Sequence, residues 1–321
     1  MSHLNRQQRI KQALIAENLD AALILSPVGT CYLSGCYLLT QTVIPEREAY
    51  VLITKNGDMS YLVCNIEEAS ARHHSHIDDV HIYVEFADVP ALAAAQLLEE
   101  KGLSQSRIGI ELHTMSAATL RHLEQSLAKA EFVPWDTQFA KTLMIKDSGE
   151  VDALETAGRA TQQAIVDGLT GAAVGSSELD VANRILQGIM DAGIVPLFNV
   201  FAAGPNLLQA HAEATNRLLQ PGEIVRLDMG GRLASNNYLS DMARTAVVGT
   251  PSTEQQQIYA ALADIQQAIM EACRPGQPIS ALYHLCATRF EAHGLPFGMP
   301  HIGHGMGIGL HESPMIHPKN E

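Results

Sequence analysis

The chain has 321 residues, room for two domains, since single hydrophobic cores seldom grow beyond about 250–300 residues. With 46% apolar and 17% charged residues it has the composition of a globular protein, and no apolar run approaches the roughly 20 residues that span a bilayer. A net charge of −14 excludes nucleic acid as a natural partner and disfavours an anionic membrane, because both need a basic protein surface.

The first stretch, "MSHLNRQQRIKQALIAENLDAALIL", reads as a polar amphipathic helix running into a strand, without the unbroken apolar core of a signal peptide. Five scattered cysteines (Cys31, Cys36, Cys64, Cys273, Cys286) form no CxxC pair, and reduced thiols in a cytoplasmic protein are expected. Strands are predicted at 20–26, 49–54, 59–64, 79–86 and 107–111, and helices at 89–102 and 116–130. "KNGD" at 55–58 marks a hairpin turn. Residues 1–140 therefore read as an α/β domain. An extended seam follows, with the boundary placed near 140–148 and Ser148 as N-cap of the next helix.

The second part, 149–321, opens with helices at 149–170 and 177–192. It continues with strands at 197–203, 223–231 and 243–249, then helices at 253–273 and 279–293 separated by Pro275 and Pro278. Helices grouped around antiparallel strands predict an α+β domain.

"RLDMGGRLASNNYLSDMART" places Asp228 and Asp241 on the two arms of a predicted hairpin. If they oppose each other, the turn is centred between Ala234 and Ser235, and both carboxylates share a face. Such a pair repels unless a cation or a proton lies between its members; solvated strand-end aspartates are the plainer alternative. "GHGMGIGLHE" adds His304 and His311 among glycines. Imidazole with carboxylates suits manganese, cobalt or zinc. The two histidines are seven residues apart and would face opposite ways on a regular strand, so a shared site requires a bend among Gly305, Gly307 and Gly309. "VFAAGPNLLQAHAE" sets His211 just past a strand end, where binding residues often lie.

These three segments, in this order, resemble the creatinase/prolidase/methionine aminopeptidase superfamily, most closely its Xaa-Pro peptidase branch. The resemblance implies a creatinase N-terminal-like α/β domain followed by a "pita-bread" α+β catalytic domain. It implies two divalent metal ions (manganese, cobalt or zinc) with Asp228, Asp241 and His304 as ligands. His211 and His311 are implied to bind substrate and assist proton transfer, with His301 lining the pocket or orienting His304. A small Xaa-Pro peptide as substrate and a homodimer are implied too. The Asp228–Asp241 spacing of thirteen is two longer than the family's usual eleven, an even change that keeps both on one face.

Two further glutamate ligands are implied on strands after the histidine segment, the first in an "EP" dipeptide. Only Glu312 and Glu321 follow His311, neither in that context. Three of five implied ligands are thus accounted for, the last strands of the domain are expected to be missing, and lineage and activity are separate questions for this chain. Two alternatives stay open: a metal-independent creatinase-like C–N hydrolase with His211 as base, and an inactive, truncated relative. His73, His74, His76 and His81 read as a solvated loop entering a strand, Glu67 and Glu68 as a solvated helix start, and Arg244 as structural support paired with a carboxylate.

Overall fold

The computed structural model describes residues 3–172 and 175–320. Its chain divides into two compact units, Met1–Gly149 and Glu150–Glu321.

The first unit runs α1 (His3–Ala16), β1 (Ala21–Ile24), α2 (Pro27–Ser34), α3 (Leu39–Val43), β2 (Tyr50–Thr54), β3 (Met59–Cys64), α4 (Glu68–His74), β4 (Val80–Tyr83), α5 (Pro90–Glu100), β5 (Arg107–Ile110), α6 (Ala117–Ser126), β6 (Glu131–Pro134) and α7 (Asp136–Met144). The strands form one sheet in the order β4-β3-β2-β1-β5-β6. The predicted β2–β3 hairpin is present, in register from Tyr50↔Leu62 to Ile53↔Met59. Central β1 is buried at every position, as its unbroken apolar run requires of a strand covered on both faces. On one face Leu23, Leu52 and Tyr83 join Leu97, Leu98 and Leu123 of α5 and α6 in a single apolar cluster.

Three local expectations give way. The seam holds α7 rather than extended chain, with Phe139 and Leu143 turned inward. Residues 71–74 complete a helix instead of a loop. α2 was not anticipated: Ser26 caps it by accepting from the Gly29 N–H, Pro27 starts it, and Gly35, at φ 77°, ends it.

The second unit opens with α8 (Ser148–Thr170), so Ser148 lies inside the helix rather than capping it. α9 (Glu178–Asp191) starts in a capping box between Ser177 and Asp180. β7 (Ile194–Ala203), β8 (Ile224–Leu233) and β9 (Leu239–Val247) form an antiparallel sheet with β8 in the middle. α10 (Thr253–Ala272), α11 (Ile279–Ala292) and a short pair, β10 (His304–Gly305) and β11 (Glu312–Met315), complete it.

Alternation along "VRLDM" decides what β8 presents to each side. Val225, Leu227 and Met229 enter a core with Ala157, Ile165, Val181 and Ile185 of α8 and α9. Arg226, Asp228 and Gly230 therefore lie on the opposite face.

Candidate active site

The β8–β9 register differs from the expected one. Asp228 opposes Ala243 and Asp241 opposes Gly230, so the hairpin is centred between Ser235 and Asn236. The slip is two residues, and the carboxylates become diagonal neighbours while keeping their common face. Gly230, between them on that face, has to be glycine: a Cβ there would lie 1.9 Å from the Ser240 carbonyl oxygen.

Asp228 is held in an awkward state. Burial, followed by the negative charge of Asp241, pushes its carboxyl up to about 6, partly offset by the charges of His211 and Arg226. Its Oδ1 is buried with no hydrogen-bond partner. An orphaned carboxylate oxygen beside a second carboxylate is what a cation or a proton would relieve.

His304 closes on the pair from β10. Its Nδ1 lies 2.9 Å from the Gly305 carbonyl oxygen, which can only accept, so the proton sits on Nδ1 in the neutral ring. Nε2 is then the nitrogen with the free lone pair, and it lies 3.5 Å from Asp241 Oδ2. Two acceptors thus lie close together, which a cation or a shared proton would relieve. Contacts run pairwise, Asp228 with Asp241 and Asp241 with His304. Among the described residues no three His, Cys, Asp or Glu side chains are arranged to hold a metal ion by themselves. The donor chemistry thus fits a divalent cation, and the unpartnered Oδ1 offers it a place.

The chain bends between His304 and His311, whose rings stack with centroids 3.9 Å apart and 28° between planes. The bend is a tight loop between β10 and β11. Leu239 N–H donates to the Gly307 carbonyl oxygen at 2.9 Å, tying this loop to the start of β9. Glu312 accepts from the Gly309 N–H at 2.8 Å and lies so close to Gly307 that a Cβ there would meet its carboxylate oxygens at 2.6 Å. Glu312 is therefore occupied in closing the loop, and Glu321 falls outside the described residues. Burial and the charges that His304 and His301 carry when protonated keep the His311 imidazole below its ordinary proton affinity. His301 is exposed and makes no hydrogen bond to His304.

His211 is exposed, beyond the turn Gly204–Leu208 that follows β7. Two residues that the sequence did not single out hold its segment. Arg226 Nη2 donates to the carbonyl oxygens of Gln209 and Ala210, at 2.6 and 2.8 Å. Buried Glu178 accepts from Ala203 N–H, Asn206 Nδ2, Thr215 N–H and Thr215 Oγ. The signal for Arg226 was its parity with Asp228 on an alternating strand; for Glu178 there was no local signal. Arg244, three residues after Asp241, faces the helices and donates to Gln162 Oε1 at 2.8 Å, so the expected carboxylate pairing is absent. The histidines of 73–81 make ring contacts and an ion pair, His73 with His74 and His81 with Asp79, outside this site.

An α/β domain followed by a pita-bread domain, with paired strand carboxylates and a glycine-flanked imidazole, defines a class of hydrolase. The chain belongs to metallopeptidase family M24, which it matches over residues 152–321, and it matches the creatinase/prolidase N-terminal domain over residues 6–144. It is 26% identical to a Xaa-Pro dipeptidase of Lactobacillus helveticus over 98% of this chain and 84% of that protein. A crystal structure of a dipeptidase from Pyrococcus horikoshii superposes with a TM-score of 0.82 at 28% identity, over 98% of this chain and 86% of the other. An X-Pro aminopeptidase from Thermotoga maritima, at 20% identity and a TM-score of 0.84, shares the fold. The branch is that of the Xaa-Pro peptidases, and the family is one of divalent-metal enzymes. No helix among the described residues is long and apolar enough to cross a membrane.

Proposed function

We propose that this protein is a metal-dependent hydrolase of small Xaa-Pro peptides. One observation carries the reading: a buried, unpartnered Asp228 oxygen beside Asp241, with His304 Nε2 3.5 Å from Asp241 Oδ2. Asp228, Asp241 and His304 would hold divalent cations, manganese, cobalt or zinc. A bound cation supplies Lewis acidity toward a carbonyl and lowers the pKa of water.

The rest is done by the chain's own groups. His311, kept neutral near pH 7 by burial and by the neighbouring imidazoles, can both donate and accept a hydrogen bond. His211 stands exposed on the open side, close enough to Asp228 for its charge to act on that carboxylate. A Xaa-Pro amide nitrogen carries no hydrogen, so the departing imino group must gain a proton. His211 and His311 are the groups assigned to deliver it and to steady the carbonyl oxygen. His301 is placed at the rim of the pocket. The reading includes a homodimer in the cytoplasm and domains spanning 1–140 and 149–321.

Hydrolysis of alanylproline by the purified 321-residue chain tests it, with Mn²⁺, Co²⁺ or Zn²⁺ added and after exhaustive chelation. Metal-dependent cleavage, lost in Asp241→Asn, is expected. Cleavage that survives chelation and vanishes in His211→Ala transfers the chain to metal-independent C–N hydrolysis. Absence of both metal binding and cleavage ends the peptidase reading for this chain.

A further inference from the structure

We propose that Arg226 is a positioning residue that fixes the segment carrying His211 against the carboxylate face, an inference resting on the role given to His211 above. The segment after β7 has little else to hold its shape. Leu208, Gln209, Ala210 and His211 are all exposed, Leu208 to 94%, so apolar packing does not fix them. The turn Gly204–Leu208 ends with Gln209 N–H donating to the Asn206 carbonyl oxygen at 3.1 Å, and no regular structure follows until β8. At its root the segment is secured by Glu178 and by the Phe201 N–H, which donates to the Ala212 carbonyl oxygen at 3.0 Å. Between Leu207 and His211, Arg226 is the one side chain among the described residues that bonds the backbone.

The geometry suits arginine. A single terminal nitrogen serves two successive carbonyl groups, immediately before His211 in the chain, and the guanidinium keeps its plane and charge at any working pH. The side chain rises from the floor of the site, two residues before Asp228 on the same face, opposite Ala202 on one side and Thr245 on the other. Removing it leaves the segment anchored at its base only. His211 would then sample many positions, and a misplacement of about 1 Å can cost on the order of 10²-fold in rate.

The test compares the intact protein with Arg226→Met and Arg226→Lys. In Arg226→Met, exchange of the Gln209 amide, whose N–H closes the turn on the Asn206 carbonyl oxygen, is expected to rise about tenfold or more, while β8 and β9 stay as protected as before. In wild type with diamagnetic Zn²⁺, alanylproline is expected to shift the His211 ring-proton resonances. Arg226→Met loses that shift and Arg226→Lys recovers part of it, because an ammonium keeps the donors and gives up reach. In turnover, kcat falls and KM stays within a small factor.

Unchanged exchange at the Gln209 amide in Arg226→Met overturns the proposal. So does a raised KM at normal kcat, which would assign the guanidinium to the peptide's carboxylate. Should Arg226→Met fail to fold, Arg226→Gln replaces it; a Gln variant with wild-type exchange and kcat is equally fatal. A wild-type His211 that ignores alanylproline removes the role of His211 in hydrolysis, and the exchange comparison still decides whether Arg226 holds the segment.

Discussion

At the scale of single residues, the site works against the stability of the chain that carries it. Asp228 ionises in the unfolded chain near its ordinary 3.8 and in the folded chain only near 6. Above pH 6 the folded state therefore bears a charge it disfavours, and below 3.8 the penalty is gone. Asp228→Asn is expected to stabilise the metal-free protein at pH 8 by about 1–2 kcal/mol after allowance for solvent screening, a gain that shrinks as pH falls from 6 toward 4. Chemical denaturation in the presence of a chelator measures it. The same substitution should abolish the stabilisation that Mn²⁺ gives the wild type. A less stable Asn variant at pH 8 would mean that the two carboxylates are not in conflict. Functional groups held in a costly arrangement are where stability and activity part company.

At the scale of elements, what could be read from the sequence was whatever repeats locally. The R-D-G against V-L-M alternation of β8 fixes which face Asp228 presents, and it survives a two-residue register slip because the strand period is two. The slip itself was illegible. "ASNN" permits several turns, and the one adopted places Asn237 at φ 67°, a choice made by the packing of both arms. α2 was overlooked because it is eight residues long and rich in strand-forming types, although Ser26, Pro27 and Gly35 frame it. Glu178 could not be found by pattern, since its partners lie 25 to 37 residues along the chain. It is fully buried, and both oxygens are saturated by donors from the two ends of the His211 segment. In Glu178→Gln an amide N–H₂ must face either Ala203 N–H or Thr215 N–H, donor against donor. Urea unfolding should show a loss of about 2–4 kcal/mol. A change below 0.5 kcal/mol, roughly the scatter of ordinary surface substitutions, would show that the segment does not depend on its root.

At the scale of the whole molecule, the two units should answer to different ligands. All residues assigned to the site belong to the second unit, Glu150–Glu321, so a cation that binds there stabilises by RT ln(1 + [L]/Kd), about 2.7 kcal/mol at a hundredfold excess over Kd. The first unit answers to protons. His76, whose ring stacks on His3 at 4.2 Å, is pushed down to about 4 by burial first and then by the charges of His3 and Arg6. Unfolded, it takes up its proton near 6.5. Between pH 6.5 and 4 the unfolded chain therefore binds the proton more readily, and the first unit loses stability as pH falls through that window, with nothing lost above it. Amide exchange read strand by strand separates the two effects. Mn²⁺ at pH 7.5 should slow exchange in β8 and β9, and Asp241→Asn should cancel that protection. Lowering the pH from 7 to 5, with exchange corrected for its intrinsic pH dependence, should weaken β1, β2 and β3, and His76→Gln should flatten the response. If Mn²⁺ protected β8 and β9 in Asp241→Asn as strongly as in wild type, the cation would be binding somewhere other than the carboxylate pair on that face.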